Sequence, residues 1–299
     1  MEVITSLAQW RERTDSIRSG PATLGVTLTM GALHPGHAAL FEASRGACDV
    51  SVATIFVNPL QFNDAQDLAA YPRDLDADLA RCEAGGIAVV LVPSVAEIWP
   101  DWPEPTSTRV HVEGLADRLE GADRPGHFDG VATVVSKLLI ATGRCTAFFG
   151  EKDFQQLCVV RRVVADLAID ADVVGVGIVR EPDGLALSSR NVRLSAPARA
   201  EATVLHRALE AGRAALEAGA TPAKAVAAME AVVAAVPAMS LAYARVVEEA
   251  TLDDAVEPAA GTTVRLLAAG VIDSVRLIDN LAAVVGAAAD PTVTSGAAR

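Results

Sequence analysis

Short apolar runs alternate with amphipathic stretches through the first 178 residues. Ala22–Thr29 reads as a buried strand that ends at Met30-Gly31-Ala32-Leu33-His34-Pro35-Gly36-His37, and helical spacing follows from about Ala38 to Ala47. Asp49–Val57 is a second β-rich run, closing on Asn58-Pro59. A helix is predicted over Leu75–Ala84, a strand over Ile87–Val92 and a helix over Phe128–Thr142. Then come a strand at Thr146–Phe149, a helix at Phe154–Leu167 and a strand at Asp172–Gly177. Continuous apolar strands separated by helices predict an α/β domain, a parallel sheet with helices on both faces.

The pattern changes after Ile178. A loop runs through Asn191, followed by two Ala-rich helices at about Ala196–Ala218 and Thr221–Ala235. Three strand-like runs close the chain: Leu241–Glu248, Thr263–Gly270 and Ser274–Asn280. Helices followed by strands predict a smaller C-terminal α+β domain with an antiparallel sheet. The expected domains are therefore 1–178 and 179–286, with 287–299 as a frayed tail.

Composition narrows the function classes. With 51% hydrophobic and 21% charged residues the 299-residue chain is globular, and no apolar run reaches membrane-spanning length. Met1-Glu2-Val3 does not open a signal peptide, so a cytoplasmic location is expected. A net charge of −13 argues against nucleic-acid partners, which need clustered Lys and Arg, but leaves room for a small phosphate site. Cys48, Cys82, Cys145 and Cys158 are scattered and read as free thiols. Of the 25 basic residues only Lys137, Lys152 and Lys224 are lysines, so a lysine retained in this Arg-rich background draws attention as a functional candidate.

There is no P-loop, and Gly175-Val176-Gly177 reaches Arg180 where a dinucleotide fingerprint needs Gly. The strongest feature is the strand–turn–helix at Thr29–Ala38. Gly31 and Gly36 permit close backbone approach, the helix start offers free N–H groups, and His34 and His37 can both face an anion as donors. A plain turn with incidental histidines, or a zinc pair lacking its partners, is the bland alternative. Phe149-Gly150-Glu151-Lys152-Asp153-Phe154-Gln155-Gln156 sits at another strand-to-helix junction, where Lys152 suits a phosphate, Asp153 a ribose and Gln156 a hydroxyl or carboxylate. Ser188, Ser189 and Arg190 would suit a leaving pyrophosphate, although taken alone they read better as an ordinary Ser-rich linker. Asn58 and Gln61 suit a hydroxy-acid or a capped turn. Arg124-Pro125-Gly126-His127-Phe128 lines the same cleft or simply starts a helix.

In this order, Met-Gly-Ala-Leu-His-x-Gly-His, Phe-Val-Asn-Pro-x-Gln-Phe, Tyr71-Pro72-Arg73, Arg-Pro-Gly-His-Phe, Phe-Gly-Glu-Lys-Asp-x-Gln-Gln and Ser-Ser-Arg-Asn resemble the pantoate–β-alanine ligase (pantothenate synthetase) family, from Val26 to Asn280. The resemblance implies a Rossmann-like nucleotidyltransferase domain, a small C-terminal lid domain, ATP-dependent condensation of (R)-pantoate with β-alanine through a pantoyl adenylate, Mg²⁺ with the ATP, and a homodimer. It implies ATP contacts at Met30–His37 (Met30, Gly31, Ala32, Leu33, His34, Pro35, Gly36, His37), Gly150, Glu151, Lys152, Asp153, Val179, Leu187, Ser188, Ser189 and Arg190. His37 is the family's assigned proton donor, with His34, Lys152 and Arg190 around the developing charge; Gln61 and Gln156, with Asn58, bind pantoate, and Gln61 also lies near β-alanine. The family usually has Pro where this chain has Leu28, and its adjacent acidic residues after Tyr-Pro-Arg are here Asp76 and Asp78 around Ala77. Rival readings are a nucleotidyltransferase moving AMP or CMP to a phosphate, which should lack the paired glutamines, a tRNA-charging fragment, and a catalytically dead interaction protein.

Overall fold

The computed structural model describes residues 1–104 and 106–287. Backbone contacts divide the chain into two units: Met1–Val179 with Leu187–Ser189, and Arg180–Ala186 with Arg190 onward.

The first unit is built on a six-stranded sheet: β1 (Glu2–Ile4), β2 (Leu24–Thr29), β3 (Val50–Ile55), β4 (Val89–Leu91), β5 (Cys145–Gly150) and β6 (Ala171–Val176). The strands run in the order β1-β4-β3-β2-β5-β6, and every neighbouring pair is parallel. β2 and β3 are buried along almost their whole length, which is why they read as unbroken apolar runs instead of alternating ones. Helix Pro35–Ala47 carries the chain from β2 to β3, and helix Phe154–Asp166 carries it from β5 to β6 in the opposite direction along the sheet. Right-handed crossovers in opposite directions put these two helices on opposite faces. The strand order reverses between β2 and β5, the place where open α/β sheets hold their ligands.

Strand β1 and helix Leu7–Arg18 are absent from the elements predicted above, as are the short helices Ala65–Ala70, Val95–Ile98 and Glu120–Asp123. β1 is three residues long with only Ile4 buried, too short to show a period. Helix Leu7–Arg18 buries Trp10, Thr14 and Ile17 at helical spacing, but its surroundings are polar. The helix expected from Ala38 begins at Pro35, because His34 caps it and Pro35 supplies a preset φ at its first position.

The second unit carries β7 (Ser240–Glu248), β8 (Thr263–Ile272) and β9 (Val275–Val284) as an antiparallel sheet in that order. Leu205, Leu209 and Leu216 of helix Val204–Glu217 and Met229 of helix Pro222–Ala234 form its core with Val246 and Leu266 of the sheet. The single helix expected over Ala196–Ala218 is split into Ala196–Glu201 and Val204–Glu217. Thr203 donates from Oγ1 to the Ala200 carbonyl at 3.2 Å, a local side-chain bond that competes with helix continuation. The tail expected over 287–299 lies, from residue 288 on, outside the described residues.

Candidate active site

Three segments expected to carry chemistry leave the carboxyl ends of adjacent strands: the His34–His37 turn after β2, the Asn58–Gln61 turn after β3, and Gly150–Asp153 after β5. The sheet order alone therefore collects them on one edge of the first unit.

The turn after β2 directs its backbone donors into the protein. Gly31 N–H donates to Thr29 Oγ1 at 3.2 Å, and the amides of Ala32 and Leu33 both donate to the Asp78 carboxylate at 2.8 Å. His34 N–H donates to His37 Nδ1 at 3.2 Å, and Gly36 N–H donates to His34 Nδ1 at 3.1 Å. The amides of His37 and Ala38 donate to the His34 carbonyl at 2.8 and 3.3 Å, and Pro35 has none to offer. The expectation of free N–H groups at this helix start is thus corrected: side chains and the first helical carbonyl have taken them.

What remains for a ligand is imidazole. Each Nδ1 accepts a backbone N–H, which places the proton of the neutral ring on Nε2. The two rings lie 4.2 Å apart between centroids. Loss of solvent contact, then the neighbouring His34 ring, push the His37 pKa down to about 3. Burial also lowers His34, assisted by the positive charges of Lys152 and Arg81 and opposed by Asp153. Both rings are therefore neutral Nε2–H donors at neutral pH.

These same influences place the β5 segment beside the histidines. The Lys152 side chain is 19% exposed and lies 3.8 Å from Asp153 Oδ1. Two adjacent glutamines here divide their work. Gln155 is buried and donates to the Leu115 and Arg118 carbonyls at 2.8 and 2.7 Å, while its Oε1 accepts from Glu120 N–H. Gln156 is half-buried and, among the described residues, its side chain makes no hydrogen bond.

A similar division holds after β3. Asn58 is 1% exposed and fully employed: Oδ1 accepts from Trp99 Nε1 and Leu60 N–H, and Nδ2 donates to Gln61 Oε1 and the Gly130 carbonyl, all within 3.3 Å. The sequence reading placed Asn58 on the substrate; its capacity is used inside the protein, so it reaches a ligand only through Gln61. Gln61 is held by its side-chain oxygen, and its carbonyl receives His127 Nδ1 at 2.8 Å and the Arg124 guanidinium at 3.3 Å. Arg-Pro-Gly-His-Phe thus both starts helix His127–Thr142 and clamps the Gln61 backbone. A Cβ on Gly130 would sit 2.4 Å from the Leu60 carbonyl oxygen, so only glycine lets that helix approach the turn. The Gln61 Nε2 group makes no hydrogen bond among the described residues and is the free end of this assembly.

Val179 and Leu187 are joined by a 3.0 Å backbone bond, with Ser188 and Ser189 following in the first unit; Arg190 is the next residue and belongs to the second. Lys137 is structural: its Nζ donates to the Ile98 carbonyl and sits 5.0 Å over the Trp99 ring. Tyr71 packs edge-on against Phe62, and Arg73 donates to the Leu68 and Tyr71 carbonyls, so Tyr-Pro-Arg closes helix Ala65–Ala70. Asp76 is exposed, whereas Asp78 is 2% exposed and holds the turn after β2.

A family model for pantoate-beta-alanine ligase matches residues 2–282. The chain belongs to the pantoate–β-alanine ligase family. Pantothenate synthetase from Cereibacter sphaeroides (strain ATCC 17029) is 47% identical over 93% of this chain and 98% of that relative. The crystal structure of pantothenate synthetase from Thermus thermophilus superposes with a TM-score of 0.86 at 45% identity, covering 94% of this chain and 99% of that one. Pantoate-beta-alanine ligase from Francisella tularensis, solved in complex with beta-gamma ATP and beta-alanine, gives a TM-score of 0.74 at 30% identity over 94% and 97% of the two chains. As a member of this ligase family, the chain has a site whose supporting residues were the hardest to foresee. Asp78, Trp99 and Gly130 act through groups that face the protein, and the one signal for them was a charge on the buried face of helix Leu75–Ala84, four residues before Cys82.

Proposed function

We propose that this ligase condenses (R)-pantoate with β-alanine, driven by cleavage of ATP. A pantoate carboxylate oxygen attacks the α-phosphorus and pyrophosphate departs. The β-alanine nitrogen then attacks the acyl carbon of the pantoyl adenylate, loses a proton, and AMP leaves with the carboxylate oxygen. The family membership supports the overall reaction, and the Francisella relative's complex supports the two co-substrates.

The observation that carries the site is the pair of cross-capped imidazoles. His34 and His37 present two Nε2–H donors where the sheet order reverses, and Lys152 adds a charge beside them. Positioned donors that need no rearrangement are what a transferring phosphoryl group demands. In this reading His37 meets the triphosphate as a neutral hydrogen-bond donor, because burial keeps its ring uncharged. Met30, Gly31, Ala32, Leu33, Pro35 and Gly36 shape the turn, while Gly150, Glu151, Lys152, Asp153, Val179, Leu187, Ser188, Ser189 and Arg190 complete the nucleotide contacts. Gln61 and Gln156 hold pantoate through their uncommitted amides, and Asn58 orients Gln61.

Among the described residues no cluster of three His, Cys, Asp or Glu side chains could hold a metal, and Asp78 is committed to backbone amides. In this reading Mg²⁺ enters with the triphosphate, and no step is assigned to it. No helix among the described residues is long and apolar enough to cross a membrane. The reading includes a cytoplasmic homodimer, with the second unit serving as a lid.

Pantoate-dependent exchange of labelled pyrophosphate into ATP tests substrate, bond and intermediate together. Exchange that requires pantoate but not β-alanine is the expected result. Exchange without pantoate, or with a phosphate acceptor in its place, would replace this reading by nucleotidyl transfer.

A further inference from the structure

A carboxylate buried beside an anion-binding site is electrostatically costly and needs a reason. Asp78 is 2% exposed, and its two oxygens accept the amides of Ala32 and Leu33 at 2.8 Å each, while Arg81 stands 3.9 Å away. The turn it holds is bent by Gly31 and Ala32, at φ +79° and +49°, a region that ordinary side chains avoid. A Cβ added at Gly31 would lie 2.7 Å from Asp78 Oδ2, so the carboxylate fills the space that glycine leaves.

The carboxylate is itself anchored. Asp74 caps helix Leu75–Ala84 through a 3.1 Å bond from Ala77 N–H. One turn past Asp78, Cys82 is fully buried in a cluster with Leu33, Phe41, Ile55 and Val90. Leu33 is thus fixed twice, by its side chain in that cluster and by its amide on Asp78. His34 follows immediately, and it caps the helix that carries His37.

We propose that Asp78 is a positioning residue of the ligase: it locks the Gly31–Leu33 backbone so that the His34 and His37 Nε2–H groups meet the triphosphate together. This rests on the ATP-site reading above and assigns its geometry to one carboxylate. Asp78 turns two backbone amides away from the nucleotide and leaves the imidazoles as the donors. The consequence is selective, because the Gln61 turn is held by Asn58, Arg124 and His127 without Asp78.

The test uses the full-length chain carrying Asp78→Asn, which keeps the shape but sets an N–H₂ group against one of the two amide donors. Expected are loss of the downfield, exchange-protected amide signals of Ala32 and Leu33, and a thermal transition that stays cooperative. The ATP Kd by calorimetry should rise by about tenfold or more and kcat should fall by about 10²-fold, the scale of an ångström-sized misplacement. The KM for pantoate should stay within about threefold. In the double variant with His37→Ala, ATP binding should be no weaker than in His37→Ala alone, because both changes remove one assembly.

A folded Asp78→Asn protein with wild-type ATP affinity overturns the inference. Equal losses for ATP and pantoate, or full additivity with His37→Ala, do the same, since a merely structural residue gives those results. Should Asp78→Asn fail to fold, Gly31→Ala decides, because it disturbs the same contact with the carboxylate intact: unchanged ATP affinity there overturns the inference, and a selective loss upholds it. Wild-type protein that binds ATP but shows no pantoate-dependent exchange defeats the ligase reading and leaves the Asp78 result standing.

Discussion

The turn after β2 and the turn after β3 solve the same problem with opposite parts. In the first, side chains absorb the backbone donors: Asp78 takes two amides, and each histidine takes one through Nδ1. The groups left over are imidazole Nε2–H. In the second, the backbone and neighbouring side chains absorb most of a side chain: Asn58 takes Gln61 Oε1, and Arg124 and His127 grip its carbonyl. The group left over is one amide Nε2. Function is written in the valences that the fold does not use, and counting the used ones finds them.

The largest effect should come from the first turn. Replacing His37 by Ala removes a donor aimed at developing charge and should lower kcat by about 10²–10³-fold. Two partial replacements sharpen this. In His37→Gln the longer side chain can place an amide N–H near the lost Nε2. In His37→Asn the side chain reaches only far enough to replace Nδ1 as acceptor for His34 N–H. His37→Gln should therefore keep more turnover than His37→Asn. The reverse order, measured as kcat in protein of unchanged circular dichroism, would mean that capping the helix matters more than facing the ligand.

In the second turn the two amides should separate cleanly. Asn58→Ala orphans Trp99 Nε1 and Leu60 N–H and frees Gln61, so stability should drop by about 1–3 kcal/mol per orphaned buried group. The pantoate KM should rise with it. Gln61→Ala orphans only one N–H of Asn58 Nδ2, so it should raise that KM with a smaller drop in the urea midpoint than Asn58→Ala. If both variants lose stability alike, Gln61 is packing and its proposed contact with pantoate fails. A smaller loss, about 1–3 kcal/mol, is expected for Gly130→Ala, whose added methyl collides with the Leu60 carbonyl and the Gln61 amide. It should weaken pantoate binding before ATP binding, the reverse of the pattern for Asp78→Asn.

The same contrast explains what was legible in the sequence. Strand–turn–helix order, buried apolar runs and the residues that end with free valences (His34, His37, Gln61 and Gln156) all leave local marks, and the structure places their segments at adjacent strand ends. Consumption of a hydrogen bond leaves no such mark. Asn58 and Gln61 look alike three residues apart, and so do Gln155 and Gln156; only the neighbours that Trp99, Gly130, Leu115 and Arg118 supply from distant segments tell them apart. Free amides at the start of helix Pro35–Ala47 were expected from helix geometry alone, which is blind to a carboxylate arriving from residue 78. β1 and helix Leu7–Arg18 were missed for a different reason: each buries too few residues to stand out from a polar background.

The smallest effect is a matter of protons, and it tests the tautomers directly. The folded protein holds His37 neutral down to about pH 3, whereas an unfolded histidine accepts a proton near 6.5. Between those values the unfolded chain binds more protons, so His37 makes stability fall as pH drops from 6.5 toward 3. His34 and His206, both lowered by burial, add the same sign; His111, raised by its bond to Asp129, contributes stability below 6.5 that is lost as pH rises. Subtracting the urea midpoints of His37→Gln from those of the wild type across about pH 4–7 isolates the His37 share. The difference should shrink steadily toward acid, and nitrogen shifts of the His37 ring should report a protonated Nε2 and a bare Nδ1 throughout. A ring that carries its proton on Nδ1 would turn the His37 donor away from the ligand side, and a ring that charges near its ordinary value of 6.5 would make it a cation instead of a neutral donor.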